Sequence, residues 1–283
     1  MILVADSGST KTEWRSMDEG IQGKSHFSTG INPFFMTSDD IFDHLNSELK
    51  DIESRSFSRI YFYGTGCNGE ARNNTVKQAL NKFFNAKEIN PASDLLGAAR
   101  SLCQDEPGIA CIMGTGSNSC YYDGRQIVAN VAPLGYILGD EGGAAVIGRK
   151  LVSAVLKKQV PQYVIKLFFD TYKISQAEIL ECVYMKQFPN RFLGQFAKFI
   201  HANSDIPELR EIITSSFREF IVRNIMQYPE AVSLPVHFTG SIAFYFREML
   251  EESLNRNNLT PGIITLSPME NLIKYHMQNK DLQ

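Results

Sequence analysis

An apolar run that stops at a turn of glycine and hydroxyl residues occurs three times along this chain: ILVADSGST at 2–10, IACIMGTGSN at 109–118 and PVHFTGSIA at 235–243. No other feature restricts the fold as strongly. A strand ending in such a turn presents backbone N–H groups free of side-chain bulk, with hydroxyls beside them, and that chemistry suits phosphate oxygens. One such turn is an ordinary hairpin or strand-to-helix corner. Three of them, with strands and helices alternating in between, point to an α/β chain that begins the same motif more than once.

The first thirty residues read as three strands, ILVADS, TKTEWRSM and IQGKSHFS, joined at Gly8-Ser9 and Asp18-Glu19-Gly20 into an antiparallel meander. Ile41, Phe42, Leu45 and Leu49 then recur at helical spacing over Thr37 to Leu49. A strand at 59–63, a helix centred on TVKQALNKFF, a short strand near Glu88-Ile89-Asn90 and a helix opened by Ser93-Asp94 extend the sheet in parallel fashion. At Ile109 the pattern restarts, with SCYYDG and RQIVANV as further strand-like runs. Helices are expected from Asp140 to Tyr228, where Leu209, Ile212, Ile213, Phe217, Phe220 and Ile221 form one apolar face. A helix from Ile242, a strand IITL and a final helix from Pro268 close the chain, and Glu106-Pro107-Gly108 marks the boundary between two halves.

Length and composition narrow the function classes. With 283 residues, 43% hydrophobic and 21% charged, the chain has enough material for one large or two ordinary soluble domains. No apolar run approaches the roughly 18 residues that a bilayer requires, so no membrane association is expected. The N-terminus lacks the basic and long apolar regions of a signal peptide, and a cytoplasmic protein starting at Met1 is expected. A net charge of -3 gives no footprint for nucleic acid. Cys67, Cys103, Cys111, Cys120 and Cys182 contain no C-x-x-C pair, so reduced thiols are expected, and the five histidines form no metal motif.

A phosphate cradle needs its charge neutralised. Asp6, at a strand end, could hold Mg2+ through water, and Lys11 adds a positive head nearby. Two other stretches compete for attention. Gly64-Thr65-Gly66-Cys67-Asn68-Gly69 satisfies G-x-G-x-x-G, with Glu88 at a suitable distance for a ribose, but a meander and a helix precede it where a dinucleotide fingerprint normally comes first. Gly23-Lys24-Ser25 resembles the end of a P-loop, yet the glycine required five positions earlier is Asp18.

Taken together, DSGSTKT, GTGSN and FTGSIA resemble the actin, sugar kinase and Hsp70 ATPase fold, and within it the N-acetylglucosamine kinases and the related BadF/BadG/BcrA/BcrD-type ATPases of benzoyl-CoA reductase systems. The likeness spans nearly the whole chain and is most specific from Ile112 to Lys150, where the glycine turn and a G-D-E-G helix start lie about twenty-five residues apart. It implies two ribonuclease H-like α/β domains with a hinge and an interdomain cleft, 1–107 plus 268–283 and 108–267, the second with a helical insertion. The final helix would recross the hinge and pack on the first half. ATP phosphates would be held by Gly8, Ser9, Thr10 and Lys11 and by Gly114, Thr115 and Gly116, with Gly240 and Ser241 bordering the adenosine. Asn32, Gly135 and Asp140 would hold the sugar, and Asp94 would be both sugar ligand and catalytic base. A homodimer is also implied. The chain departs from the kinases where Ala132-Pro133-Leu134 replaces Gly-Gly-Trp, so the tryptophan that would pack on the sugar is missing.

The residues alone leave a plainer role for Asp94, Asp140 and Glu141, because carboxylates at helix starts also serve as N-caps or as first-turn acids favoured by the helix dipole. The leading expectation is an ATP- and Mg2+-dependent kinase of a small-molecule sugar, an amino sugar such as N-acetylglucosamine. Its rivals are an ATPase activator with an iron–sulfur cluster ligated by cysteines such as Cys103, Cys111 and Cys120, an actin-like polymer or nucleotide switch, and a dehydrogenase built on GTGCNG.

Overall fold

The computed structural model describes residues 1–18, 20–52 and 56–278; Glu19 of the expected second turn and residues 279–283 of the expected C-terminal segment lie outside them. The chain folds as two compact units: Met1–Pro107 with Tyr122–Ile127 and Ser267–Gln283, and Gly108–Tyr121 with Val128–Leu266.

The first unit is built on a five-stranded sheet of order β3-β2-β1-β4-β5. β1 (Ile2–Ser7), β2 (Lys11–Asp18) and β3 (Ile21–Thr29) form the antiparallel meander, and β4 (Ser56–Gly64) and β5 (Asn85–Ser93) continue from β1 in parallel. β1 is apolar from Ile2 to Ala5, where it is covered on both faces, and turns polar at Asp6 and Ser7. Successive side chains alternate: Leu3 and Ala5 join Ile60, Phe62 and Trp14 beneath α1 (Ser38–Glu48) and α2 (Glu70–Phe83), whereas Val4 joins Tyr61 and Tyr63 on the opposite face. On that second face lie α3 (Asp94–Cys103) and the C-terminal α13 (Met269–Gln278), whose Met269, Leu272 and Ile273 are buried against Val4 and Met17. Thr37 starts α1 with a reciprocal cap: its side chain accepts from Asp40 N, and Asp40 accepts from Thr37 N.

The second unit repeats the plan. β6 (Pro107–Met113), β7 (Ser117–Asp123), β8 (Ile127–Ala129), β9 (Val236–Thr239) and β10 (Pro261–Thr265) form a sheet of order β8-β7-β6-β9-β10, the same order by rank as in the first. Between β8 and β9 come α4 (Gly135–Leu138), α5 (Ala144–Leu156), α6 (Gln162–Tyr172), α7 (Gln176–Tyr184), α8 (Pro189–Gly194), α9 (Ala197–Ala202) and α10 (Pro207–Arg223). The apolar face expected on α10 is buried at Leu209, Ile213, Phe217, Phe220 and Ile221, in a core that also holds Phe168, Phe196 and Phe238. The helix expected from Ile242 is two helices, α11 (Ser241–Tyr245) and α12 (Arg247–Arg256), meeting at Phe246, whose ring is buried in the same core.

Candidate functional site

In the first unit the chemistry gathers where β1 and β4 end. Asp6 stands opposite Glu13 across the β1–β2 pair, and the turn between those strands is closed by Gly8 N donating to Lys11 O at 3.0 Å. Gly30 must be glycine there, since a Cβ would lie 2.2 Å from Gly8 O. The fully buried Ser7 ties this turn to the next segment: its Oγ hydrogen-bonds Thr12 Oγ1 at 2.7 Å and accepts from Ile31 N at 3.0 Å, just before Asn32. Asn32 Oδ1 accepts from Phe34 N at 2.9 Å. Its carboxamide lies against the β4–α2 turn, where a Cβ on Gly66 (φ +86°) would sit 2.3 Å from that oxygen.

Asp94 is the first residue of α3. The N-cap of that helix is Ser93, whose side chain accepts from Leu96 N at 3.2 Å, so of the two plain roles open to Asp94 the N-cap belongs to its neighbour and that of a first-turn acid is met by Asp94. Asp94 Oδ2 accepts from Thr65 Oγ1 at 2.6 Å and Oδ1 from Leu95 N at 2.9 Å. Asp6 and Asp94 lie deep in the protein yet keep some accessible surface. Burial, then the charges of Asp94 and Glu13, push the Asp6 carboxyl up to about 7, with Lys11 working in the opposite direction. Burial also raises Asp94, and its bonds from Thr65 and Leu95 pull it back.

Adjacent buried carboxylates are costly unless a cation joins them, and one or two carboxylates with phosphate and water oxygens are what Mg2+ takes. The residues around Asp6 therefore fit that ion. Among the described residues no three His, Cys, Asp or Glu side chains are grouped to hold a metal by themselves, so the remaining oxygens would have to come from water or a phosphate. Glu13 is engaged otherwise, accepting from Arg15 Nη2 and Ser25 Oγ, each at 2.8 Å, and from Ser267 Oγ at 3.2 Å. Lys11 is exposed, with Nζ 4.8 Å from the centre of the Phe27 ring.

In the second unit the GTGSN turn and the GDEGG segment fold onto each other. Ala144 N donates to Gly114 O at 2.8 Å, Ala145 N to Thr115 O at 2.9 Å, and Ser117 Oγ to Glu141 O at 2.7 Å. A Cβ on Gly116 would lie 2.7 Å from Asp140 Oδ2, and one on Gly240 (φ +120°) would lie 2.5 Å from Met113 O. Gly114 differs: a Cβ there would meet no protein atom within 4 Å, so the space beside its Cα is open, while its N–H is spent within the turn, donating to Gly116 O at 2.9 Å. Asp140 adopts φ +52°, donates its N–H to Pro133 O at 2.9 Å, and is pushed up to about 6, chiefly by burial. Gly143 precedes α5 as its cap, so neither Asp140 nor Glu141 caps that helix. Glu141 is buried against Arg223 Nη1 at 2.9 Å and Asn224 Nδ2 at 3.3 Å, a structural pair. Gly135, at φ +73°, starts α4 directly after Leu134, and Ser241 starts α11 after Gly240.

Sequence reasoning passed over Thr65, Ser7 and Glu13. The signal for Thr65 lies in GTGCNG, whose glycine spacing reads as a dinucleotide fingerprint. That fingerprint fails on register: Glu88 pairs with Arg59 while Gly64 pairs with Ser93, so Glu88 sits five positions, or about 17 Å, short of the turn and bridges to Arg59 at 2.9 Å. Cys103, Cys111 and Cys120 are free thiols and buried. No helix of the described residues is long and apolar enough to cross a membrane.

No family model matches the sequence, and no curated protein matches it. Among solved structures, a candidate N-acetylglucosamine kinase from Porphyromonas gingivalis is 45% identical, covering 99% of this chain and 100% of that one, with a TM-score of 0.94. A candidate N-acetylglucosamine kinase from Chromobacterium violaceum is 13% identical over 97% and 98% of the two chains, with a TM-score of 0.74. MreB 5 of Spiroplasma citri, bound to AMPPNP, is 10% identical over 99% and 97%, with a TM-score of 0.54. At those lower identities the likeness shows the fold alone, which is the actin, sugar kinase and Hsp70 ATPase fold. With nearly half its residues identical to the Porphyromonas gingivalis protein along almost the whole length, this chain belongs to the N-acetylglucosamine kinase-like family of that fold.

Proposed function

We propose that the protein transfers the γ-phosphoryl group of ATP to a hydroxyl of an amino sugar such as N-acetylglucosamine, with Asp94 as general base. The observation that carries this reading is the setting of Asp94: a deeply placed carboxylate on the first turn of α3, oriented by Thr65, beside Asp6 and the Gly8–Lys11 turn of the same unit. The name given to the Porphyromonas gingivalis relative supports the choice of substrate class.

In this reading the turns Gly8, Ser9, Thr10 and Lys11, and Gly114, Thr115 and Gly116, enclose the phosphates; the Gly8 and Gly114 N–H groups close their own turns, so other turn N–H groups and the hydroxyls meet the oxygens, and Gly240 and Ser241 border the adenosine. Asp6 holds Mg2+ through water; when bound, the ion neutralises charge on the phosphates. Asn32, Gly135 and Asp140 orient the sugar. Asp94 accepts the proton of the attacking hydroxyl, a contribution of typically 10²–10⁴-fold. There is no covalent intermediate for the protein to form, so positioning and electrostatics carry the rest. The resemblance further implies a homodimer, which light scattering would test.

The deciding experiment is a screen of ATP consumption with glucosamine, N-acetylglucosamine, N-acetylmuramic acid and glucose, with mass detection of products. A phosphorylated amino sugar is expected. ATP consumption unaffected by every sugar, with no phosphosugar formed, would overturn the reading.

A further inference from the structure

The β4–α2 turn has lost the dinucleotide role, yet it touches both sugar-site candidates of its own unit, Asn32 through Gly66 and Asp94 through Thr65. We propose that Thr65 is a positioning residue for Asp94, its hydroxyl fixing the rotation of the carboxylate that takes the sugar proton. The inference rests on the reading of Asp94 as base.

The terminal torsion of an aspartate is broad and roughly two-fold, so the backbone of α3 does not by itself aim the carboxylate. The bond from Leu95 N reaches only Oδ1 and comes from the adjacent residue. Thr65 supplies the independent anchor. An ionised carboxylate only accepts, so the single hydroxyl proton of Thr65 points at Oδ2, and 2.6 Å is the length of a charge-assisted bond. Thr65 is itself held: its N–H donates to Ser7 O at 2.9 Å, Gly64 before it pairs with Ser7 in the sheet, and its branched Cβ stiffens χ1. The base is thereby referenced to the strand end that carries Asp6 and the Gly8 turn. A misplacement of about 1 Å in such a group is enough to cost about 10²-fold in rate.

The test uses the full-length protein with Mg-ATP and N-acetylglucosamine as the probe. Thr65→Val keeps the shape and removes the hydroxyl; Thr65→Ser keeps the hydroxyl; Thr65→Ala serves as a second deletion should the valine variant fail to fold. The deletion is expected to lower kcat about 10- to 100-fold while both KM values stay within about threefold, Thr65→Ser is expected to restore kcat to within about threefold, and the deletion is expected to add nothing to Asp94→Asn. A deletion variant with unchanged kcat, a loss that serine does not rescue, or a full additional loss on top of Asp94→Asn would overturn the positioning role and leave the base assignment intact. Undiminished turnover in Asp94→Asn alone would remove the base, and the inference with it.

Discussion

Asp94 and Asp140 differ in setting, and their variants should differ in kind. Because Ser93 caps α3, Asp94→Asn removes a proton acceptor without removing a cap, so kcat should fall by about 10² or more while the melting temperature stays close to wild type. Asp140→Asn, which takes away the ground-state sugar ligand of the proposed function, should act mainly through the sugar KM. Steady-state kinetics with both substrates varied separates the two, and an Asp94→Asn enzyme within a few-fold of wild type would end the base assignment. Gly66 carries a different constraint, because φ +86° and the 2.3 Å approach to Asn32 leave no room for a methyl group. Gly66→Ala should raise the sugar KM more than the ATP KM; equal effects on both would mean that the strain spreads beyond Asn32.

Among elements, the β1–β2 turn depends on one side chain. Ser7 Oγ serves Thr12 Oγ1 and Ile31 N in a site without water access, and Ser7→Ala would strand the buried Ile31 N–H at a cost of about 1–3 kcal/mol, while the Thr12 hydroxyl keeps its bond to Thr29 O at 3.2 Å. Chemical denaturation should detect the loss, and Lys11→Ala, whose side chain is exposed, should leave stability unchanged while weakening ATP binding modestly. Element identity was largely legible in the sequence. The meander, α1, β4, β6 and the amphipathic α10 follow from alternation and helical spacing, because those patterns record which face of each element is buried. The break at Phe246 was not legible: the sequence around it keeps helical spacing, while the backbone leaves the helical region at a residue whose ring is buried in a core built by distant residues.

At the scale of the molecule, the last helix completes the first sheet. Leu272 and Ile273 of α13 are fully buried against β1 and β4 side chains, and Leu272→Ala should cost about 2–5 kcal/mol in equilibrium unfolding. His276 of the same helix stacks on Tyr61 with centroids 3.9 Å apart, and its Nε2 lies 2.9 Å from Tyr63 OH, which also accepts from Arg100 Nη1 at 2.8 Å. Burial first, and then the Arg100 charge, push His276 down to about 3. A histidine whose folded pKa is depressed binds fewer protons folded than unfolded between the two values. Its contribution is therefore complete above the unfolded value near 6.5 and is lost progressively as pH falls from there toward 3. Denaturation curves across that range should show His276→Gln with a shallower acid loss than wild type; identical slopes would mean that other groups dominate.

Local pattern determined the repeated strand-and-glycine-turn plan and the identity of most elements, since each depends on side-chain periodicity or on the absence of a Cβ within a few residues. Tertiary structure decided what no local pattern contains. It put Asn32 against Gly66, joined Thr65 to Asp94 across 29 residues and folded GTGSN onto GDEGG. It also separated two kinds of acid that look alike in sequence: Asp94, engaged by a hydroxyl and close to another carboxylate, and Glu141, neutralised by Arg223. Burial and neighbouring charge make that difference, and both come from strands and helices that are distant along the chain.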